Sequence, residues 1–168
     1  MCYNEEKEVV LMEIRKAQEQ DIPKILLLLQ QIGQLHAQLR PDIFRADAQK
    51  FDHKQVLDLM ENPDTPVFVA VEFGNVVGYS FCQIKRVRNH SVLQDQTTLY
   101  IDDLCVDETC RGQKTGTRMM EKMKEFAQAE GCDSVTLNVW SCNEKAAAFY
   151  RSLGMREQRV CMEWTLEA

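Results

Sequence analysis

The sequence lacks a long apolar run and a leader segment. Its longest purely apolar stretches, among them Ile25 to Leu29, have five residues, whereas a membrane-spanning helix needs about 20. Near the start, Glu5, Glu6 and Glu8 stand where a secretory signal would carry basic and then apolar residues. These absences predict a cytoplasmic protein with no membrane partner.

Paired cysteines, clustered histidines, glycine and proline are also scarce. The seven cysteines include no C-x-x-C pair, and His36, His53 and His90 are isolated from one another and from the cysteines. Zinc-ligand spacing is therefore missing, and we expect reduced, mostly buried cysteines and no metal. With only 7 glycines and 4 prolines in 168 residues, the composition excludes the fibrous and disordered classes.

The chain has the size and charge of one acidic globular domain. At 168 residues, roughly 70% of the unfolded surface can be buried, enough for a core without disulfides or metals. The net charge of -6 makes a nucleic-acid partner unexpected. One segment departs from this balance: residues 111–124 carry five cations and only Glu121, a net +4, so the rest of the chain carries -10.

Hydrophobic periodicity divides the chain into strands and helices. We expect residues 1–11 to form a flexible tail and residues 12–168 to form one domain. The predicted elements of its first half are a strand from Met12 to Ala17, a helix from Asp21 to Arg40, a helix from Ala46 to Met60, and a hairpin of strands 67–73 and 76–87.

The second half continues this alternation. Its predicted elements are a strand over 97–106, a glycine-containing loop, a helix ending at Gly131, a strand from Ser134 to Trp140, a helix from Asn143 to Leu153 and a final strand or strand pair from Met155 to Leu166. The resulting order, βααβββαβαβ, indicates a mixed α/β domain.

A cationic loop separates the strand that ends at Val106 from the helix that follows. Its residues are Arg111, Gly112, Gln113, Lys114, Thr115, Gly116 and Thr117. The first amides of a helix have no partner within it and lie at its positive end, so this loop favours a phosphate-bearing ligand. The two glycines are equally consistent with ordinary turn and helix-start residues.

Two motifs resemble the GNAT superfamily of acetyl-CoA-dependent N-acyltransferases, over nearly the whole span from Met12 to Leu166. The first is Leu104-Cys105-Val106 and then Arg111 to Gly116, similar to the family's [RQ]-x-x-G-x-[GA] coenzyme loop. The second comprises Asn138-Val139-Trp140, Asn143, Ala147, Phe149-Tyr150 and Leu153-Gly154-Met155. The resemblance implies a single α+β domain whose mixed, mostly antiparallel sheet is flanked by helices, with a splayed parallel strand pair that holds the coenzyme.

The resemblance also implies which residues contact acetyl-CoA. The backbone of Leu104, Cys105 and Val106 would pair with the pantetheine arm as an added strand does, and the strand at Val135 to Trp140 would form the other lip. The loop from Arg111 to Thr117 would hold the pyrophosphate. Asn143 would contact the coenzyme, cap its helix, or do both.

Lys114 stands where the family motif has its first glycine. Glycine at that place permits a positive φ and a close approach of the pyrophosphate. A lysine there either weakens this approach or adds a cation beside the phosphates.

Two adjacent carboxylates, Asp102 and Asp103, interrupt an otherwise apolar strand. A protonated amine needs a base before it can attack a thioester. Adjacent strand residues point to opposite faces, so one aspartate would enter the cleft unless a bulge redirects them. The pair resembles that of polyamine and amino-sugar acetyltransferases, which implies Asp102 as general base and Asp103 as an amine-binding group; the alternative is that both cap loops or form ion pairs.

Tyr150 matches the family's general acid, which protonates the leaving thiolate. The alternative is a core tyrosine beside Phe149. A covalent route through Cys105, Cys110 or Cys142 is disfavoured, because no histidine lies nearby in the sequence to activate a thiol.

By resemblance, the acceptor pocket would include Phe44 and Tyr100 as substrate-binding residues, with His36, Arg40, Phe81 and Gln83 around them. The acidic pair favours a small cationic amine. The sequence thus predicts an acetyl-CoA-dependent N-acetyltransferase. Many members of the superfamily form dimers, so the resemblance is compatible with a homodimer, which the sequence itself does not show. The rival prediction is a catalytically degenerate coenzyme-binding sensor or partner-binding module with the same fold.

Overall fold

A computed structural model describes residues 12–166, so the tail predicted over residues 1–11 lies outside the described residues. The chain divides into two compact units, of which the first ends at Asn138 and the second begins at Val139. The first unit contains the sheet, and the described residues of the second, 139–166, contain one short helix.

Within the described residues, the first unit holds five strands and three α-helices. They are β1 (Glu13–Lys16), α1 (Ile22–Leu39), α2 (His53–Glu61), β2 (Val67–Glu72), β3 (Asn75–Val87), β4 (Gln96–Val106), α3 (Thr115–Ala129) and β5 (Ser134–Leu137), with 3₁₀ turns at Glu19–Asp21 and Glu108–Cys110. The strands lie in the order β1-β2-β3-β4-β5, antiparallel except for the parallel pair β4 and β5. The predicted fold class is confirmed, although β5 ends at Leu137 rather than at Trp140.

Helices cover the sheet on both faces. The larger core forms between α1, α2 and the sheet, from Ile22, Ile25, Leu28, Leu29, Val56, Val67, Val69, Tyr79, Phe81 and Cys105. On the other face, Met119 of α3 packs against Ala70 and Val77, and Met123 meets the buried thiol of Cys82. Each large apolar side chain buried in this way contributes about 1.5–3 kcal/mol.

A capping box sets the start of α2. The Asp52 carboxylate accepts a hydrogen bond from the Gln55 amide at 2.8 Å, and the Gln55 side chain accepts one from the Asp52 amide at 2.9 Å. The helix therefore begins at His53, and the prediction of a start at Ala46 was wrong. The consequence is a long irregular connection over residues 40–52.

The second unit carries α4 (Glu144–Ser152). Asn143 caps this helix, because its side-chain oxygen accepts a hydrogen bond from the Ala146 amide at 3.1 Å. Residues 155–166 form no strand in the described chain, so the predicted final strand was wrong. A strand needs hydrogen bonds to a neighbour; here the alternating Val160, Met162 and Trp164 are all exposed. None of the helices described between residues 12 and 166 has both the length and the apolarity of a membrane span.

Candidate active site

A β-bulge in β4 determines which way the two aspartates point. Opposite β3, Phe81 pairs with Asp103, whereas the next residue, Cys82, pairs with Ile101, so Asp102 is an extra residue in β4. The bulge changes the alternation of faces. Asp103 consequently lies on the face of Phe81, toward α1 and α2, whereas strict alternation from Ile101 would have turned it toward α3.

Both aspartates reach one cation, Lys50, from the connection between α1 and α2. The Lys50 ammonium donates to Asp102 Oδ2 at 2.8 Å and to Asp103 Oδ2 at 3.2 Å. The sequence left open which aspartate enters the cleft. The answer is that the bulge brings both carboxylates to the same ammonium.

The two carboxylates differ sharply in exposure. The side chain of Asp102 is 41% exposed and that of Asp103 is 7% exposed. Burial raises the pKa of Asp103, and the charge of Lys50 opposes that rise without cancelling it. Asp103 is therefore a buried base held beside a cation, and Asp102 is the member of the pair that meets solvent.

Aromatic and imidazole groups surround the buried carboxylate. Tyr79 is fully buried, and its burial, followed by the charge of Asp103, raises the pKa of its hydroxyl. Burial lowers the pKa of His36, on which the charges of Asp103 and Lys50 also act, in opposite directions. The His36 ring lies 5.0 Å from that of Phe44, so two predicted pocket residues meet on this side of the sheet.

Tyr100 shares the face of the acidic pair because of the same bulge. It pairs with Gln83, which lies on the same side of β3 as Phe81. Its hydroxyl accepts a hydrogen bond from Asn138 Nδ2 at 3.1 Å, and the Lys85 ammonium lies 3.5 Å from the centre of its ring. Tyr100 is thus a fixed aromatic group on the predicted acceptor face.

The pairing between the parallel strands β4 and β5 stops beside the aspartates. Their pairing ends at Ile101 and Leu137, whereas β4 continues to Val106. In the described chain, the last five residues of β4 therefore have no partner in β5. This stretch contains Leu104, Cys105 and Val106, the residues of β4 for which the resemblance implied a splayed strand pair.

The loop before α3 has a positive φ at two residues. Gly112 has φ +85°, and Lys114, at the N-cap of α3, has φ +62° and ψ +14°, in the left-handed region. The first helical hydrogen bond runs from the Arg118 amide to the Lys114 carbonyl at 3.0 Å. Lys114 thus has the left-handed backbone conformation that glycine adopts most readily.

The start of α3 presents polar groups that face no partner within the helix. The amides of Thr115, Gly116 and Thr117 precede the first helical hydrogen bond and remain available to a ligand. Thr115 is 2% exposed, and its Oγ1 has no hydrogen-bond partner among the described residues. Unsatisfied buried donors at a helix N-terminus suit an anionic group.

The thiol beside the aspartates is not a nucleophile at neutral pH. Burial raises the pKa of Cys105 to about 12, and its Sγ lies 3.6 Å from the Leu28 carbonyl inside the core. Only a thiolate attacks an acyl group efficiently. This disfavours the covalent route through Cys105.

Two further predicted residues lie in the second unit. Asn143 fills the capping role described above. Tyr150 lies on α4, its ring 5.1 Å from that of Phe149, and is partly buried. Their roles toward a coenzyme rest on the motif in the sequence.

Sequence reasoning missed Lys50. Its position in an irregular connection carries no periodic signal, and 52 residues separate it from Asp102. The one available signal was indirect, since a carboxylate inside an apolar strand requires a cation or a hydrogen-bond donor. That requirement does not say which of the chain's cations supplies it.

Comparison with known proteins adds independent information. Residues 30–155 match the model of the acetyltransferase (GNAT) family. The bovine thialysine N-epsilon-acetyltransferase is 26% identical over 159 residues, which cover 90% of this chain and 88% of that protein. The crystal structure of a mutant BH1408 protein from Bacillus halodurans superposes with a TM-score of 0.89 at 33% identity, over 93% of this chain and all of that one.

A more distant structure shares the fold. An aminoglycoside N-acetyltransferase in complex with CoA superposes with a TM-score of 0.70 at 13% identity, over 96% of this chain and 99% of that one. This likeness supports the fold alone.

Proposed function

The chain belongs to the acetyltransferase (GNAT) family and is an acyltransferase, and we propose that it transfers an acetyl group from acetyl-CoA to a primary amine of a small cationic molecule. The observation that carries this proposal is the ammonium group bound by Asp102 and Asp103. This contact supports the proposal because a primary ammonium, that of Lys50, lies at hydrogen-bond distance from both carboxylates. The relative named for thialysine supports an amine acceptor.

The residues of the first unit suit acetyl-CoA, which supplies an activated acyl thioester. The unpaired edge of Leu104 to Val106 would receive the pantetheine arm as an added strand. The free amides at the start of α3, the buried hydroxyl of Thr115 and the cationic loop from Arg111 to Thr117 would hold the pyrophosphate. Asn143 is assigned a coenzyme contact by the family motif in addition to its capping role.

Deprotonation of the acceptor is the energetic problem that the acidic pair solves. An amine with a pKa of about 10.4 lies about 3.4 units above neutral pH, which corresponds to about 4.6 kcal/mol. Asp102, which meets solvent, takes the proton directly or through a water molecule. Asp103, buried beside it, supplies the fixed negative charge that draws the ammonium into the cleft.

The remaining steps are assigned to the amine and to Tyr150. We assign a direct attack of the neutral amine on the thioester carbonyl, because burial raises the pKa of the Cys105 thiol to about 12 and this disfavours an acyl-enzyme at that residue. Tyr150 donates a proton to the leaving thiolate, as its match to the family motif implies. A tyrosine stays protonated at neutral pH and is therefore available as an acid.

The backbone of Lys114 bears on the rival proposal of a module without activity. In the sequence, its replacement of glycine supported a degenerate coenzyme sensor. The lysine nevertheless holds a φ of +62°, the positive φ that glycine would permit at this place, and this supports retained coenzyme binding.

A binding titration and an amine panel test the proposal. Calorimetry with acetyl-CoA measures binding, and a free-thiol assay measures CoA release with thialysine, a polyamine, an aminoglycoside and, as a matched control, an alcohol of similar size. We expect CoA release with at least one amine and none with the alcohol. Absence of binding at millimolar acetyl-CoA would contradict the proposal, and binding without turnover on any amine would favour the sensor.

A further inference from the structure

A lysine of the chain itself lies where the proposed function places the acceptor. Lys50 Nζ is 2.8 Å from Asp102 Oδ2 and 3.2 Å from Asp103 Oδ2. The Asp102 carboxylate is the group to which the proposed function assigns removal of the acceptor's proton. A general base acts on an amine at this distance. We propose that Lys50 is a self-acetylation site, modified on Nζ by acetyl-CoA bound to the same molecule; this inference rests on the proposed function.

The fold holds the Lys50 ammonium in place. The next residue, Phe51, packs its ring edge-on against Phe81 at 5.3 Å between centroids, which anchors the connection to the residue of β3 that pairs with Asp103. The Lys50 ammonium also lies 5.4 Å from the centre of the Phe51 ring. An amine fixed beside its base reacts with a high effective concentration, so a free acceptor is not needed for the step.

The transfer balances without any further reactant. Lys50 gives a proton to the Asp102 carboxylate, and the neutral Nζ attacks the carbonyl carbon of the thioester. The new N–C bond forms as the C–S bond breaks, and CoA leaves as a thiolate that takes up a proton. The product is a neutral acetyl-lysine, which no longer forms ion pairs with Asp102 and Asp103.

Lys54 provides an internal control four residues away. Its side chain is 81% exposed and pairs with Asp58 on the surface of α2 at 2.7 Å, so it reports uncatalysed acetylation. Burial alone would lower the pKa of Lys50, but Asp103 and Asp102 outweigh it and raise the pKa. Uncatalysed acetylation requires the neutral amine. Acetylation that does not depend on the active site should therefore not favour Lys50, which is less exposed than Lys54 and has a raised pKa.

The experiment measures isotope-labelled acetyl groups on the two lysines. The full-length protein is incubated with acetyl-CoA that carries a heavy acetyl group, which distinguishes new label from any acquired during expression. After digestion by a protease that does not cut at lysine, mass spectrometry compares Lys50 with Lys54. General-base catalysis predicts about 100-fold more label on Lys50, with a rate constant independent of protein concentration because the reaction is intramolecular.

Two variants localise the effect. Asp102→Asn, which keeps the shape of the side chain, should reduce label on Lys50 to the level of Lys54, and calorimetry with acetyl-CoA checks that this variant still folds and binds. Lys50→Arg keeps the cation and should carry no label at position 50.

The outcomes separate this inference from the proposed function. Label on Lys50 no greater than on Lys54 overturns self-acetylation, as does a rate constant that rises with protein concentration. If the same preparation then acetylates amines of the panel, the proposed function stands alone. If it acetylates neither Lys50 nor any amine, both fail.

Discussion

The left-handed backbone of Lys114 leads to a prediction about stability that a matched variant can test. Replacement of Lys114 by glycine removes a side chain from a residue with φ +62°. Replacement of Lys124 by glycine removes the same side chain from an exposed position inside α3. Both variants make the same change to the unfolded chain. The difference between their free energies of unfolding therefore reports the backbone conformation of each residue in the native state.

The expected effects have opposite signs. A left-handed lysine costs about 1–2 kcal/mol, whereas glycine loses about 0.5–1 kcal/mol more than other residues through its greater freedom when unfolded. Lys114→Gly should therefore stabilise the protein by about 0.5–1 kcal/mol from these two terms. Lys124→Gly should destabilise it by about 1 kcal/mol, the cost of glycine inside a helix.

Urea unfolding and thermal melting measure the difference. A gap of about 1.5–2 kcal/mol corresponds to about 3–8 °C in Tm for a chain of this size. If both variants lowered stability equally, residue 114 would not be left-handed, and the reasoning about the coenzyme loop would be wrong. Acetyl-CoA affinity supplies a second readout: we expect Lys114→Gly to bind about threefold more weakly at low salt and equally at 1 M salt, because an exposed charge contributes little and is screened.

Three further predictions concern buried ionisable groups. Asp21 is 5% exposed and bound by Arg15 at 2.6 and 3.1 Å, so Arg15→Met should cost about 2–3 kcal/mol in urea unfolding near neutral pH. Burial would raise the pKa of Asp21, but hydrogen bonds from Arg15 and the Gln18 amide lower it; the gap between variant and wild type should therefore shrink as pH falls through that lowered pKa, and a constant gap would contradict this assignment. Burial raises the pKa of Cys105 to about 12, so alkylation at pH 8, followed by mass spectrometry, should modify it at least about 100-fold more slowly than the exposed Cys142; equal rates would refute its burial. Burial raises the pKa of Asp103 against the opposing charge of Lys50. As the pH is lowered, kcat/KM for a cationic amine should therefore begin to fall at a higher pH than it would with an ordinary aspartate. Asp103→Asn should raise KM and remove this acidic limb of the profile; an unchanged profile would exclude Asp103 from amine binding.

The order of elements was predictable because it depends on local periodicity. Alternating apolar residues identified β2, β3 and β4, and the helical spacing of Met119, Met123 and Ala127 identified α3. The start of α2 was misplaced because a reciprocal cap at Asp52 and Gln55 outweighed a weak apolar pattern upstream.

The arrangement of the site was only partly predictable. The acidic pair was visible in the sequence, but its direction depends on a bulge, which is a feature of the pairing between β3 and β4 and has no signal in β4 alone. Lys50 reaches the pair through tertiary contacts from a connection without regular structure. Local sequence reasoning cannot find a partner of this kind.

The final predicted strand failed for a related reason. Val160, Met162 and Trp164 alternate as strand residues do, yet an alternating pattern is only one of the two conditions for a strand. The second condition is a neighbouring strand whose amides and carbonyls are free to pair. No strand pairing is assigned to residues 155–166 in the described structure. Alternation alone was therefore insufficient evidence.

The role of Asp102 as the base is tested most directly by kcat/KM for the best amine of the panel, measured for wild type, Asp102→Asn and the matched surface variant Asp58→Asn. Asp58 lies on α2 and pairs only with Lys54 among the contacts described for it, so its variant should stay within about twofold of wild type, as surface changes away from a site usually do. Loss of a general base should lower kcat/KM of Asp102→Asn by about 100-fold or more. An Asp102→Asn enzyme that binds acetyl-CoA and acetylates the amine as fast as Asp58→Asn would contradict the mechanism proposed for this site.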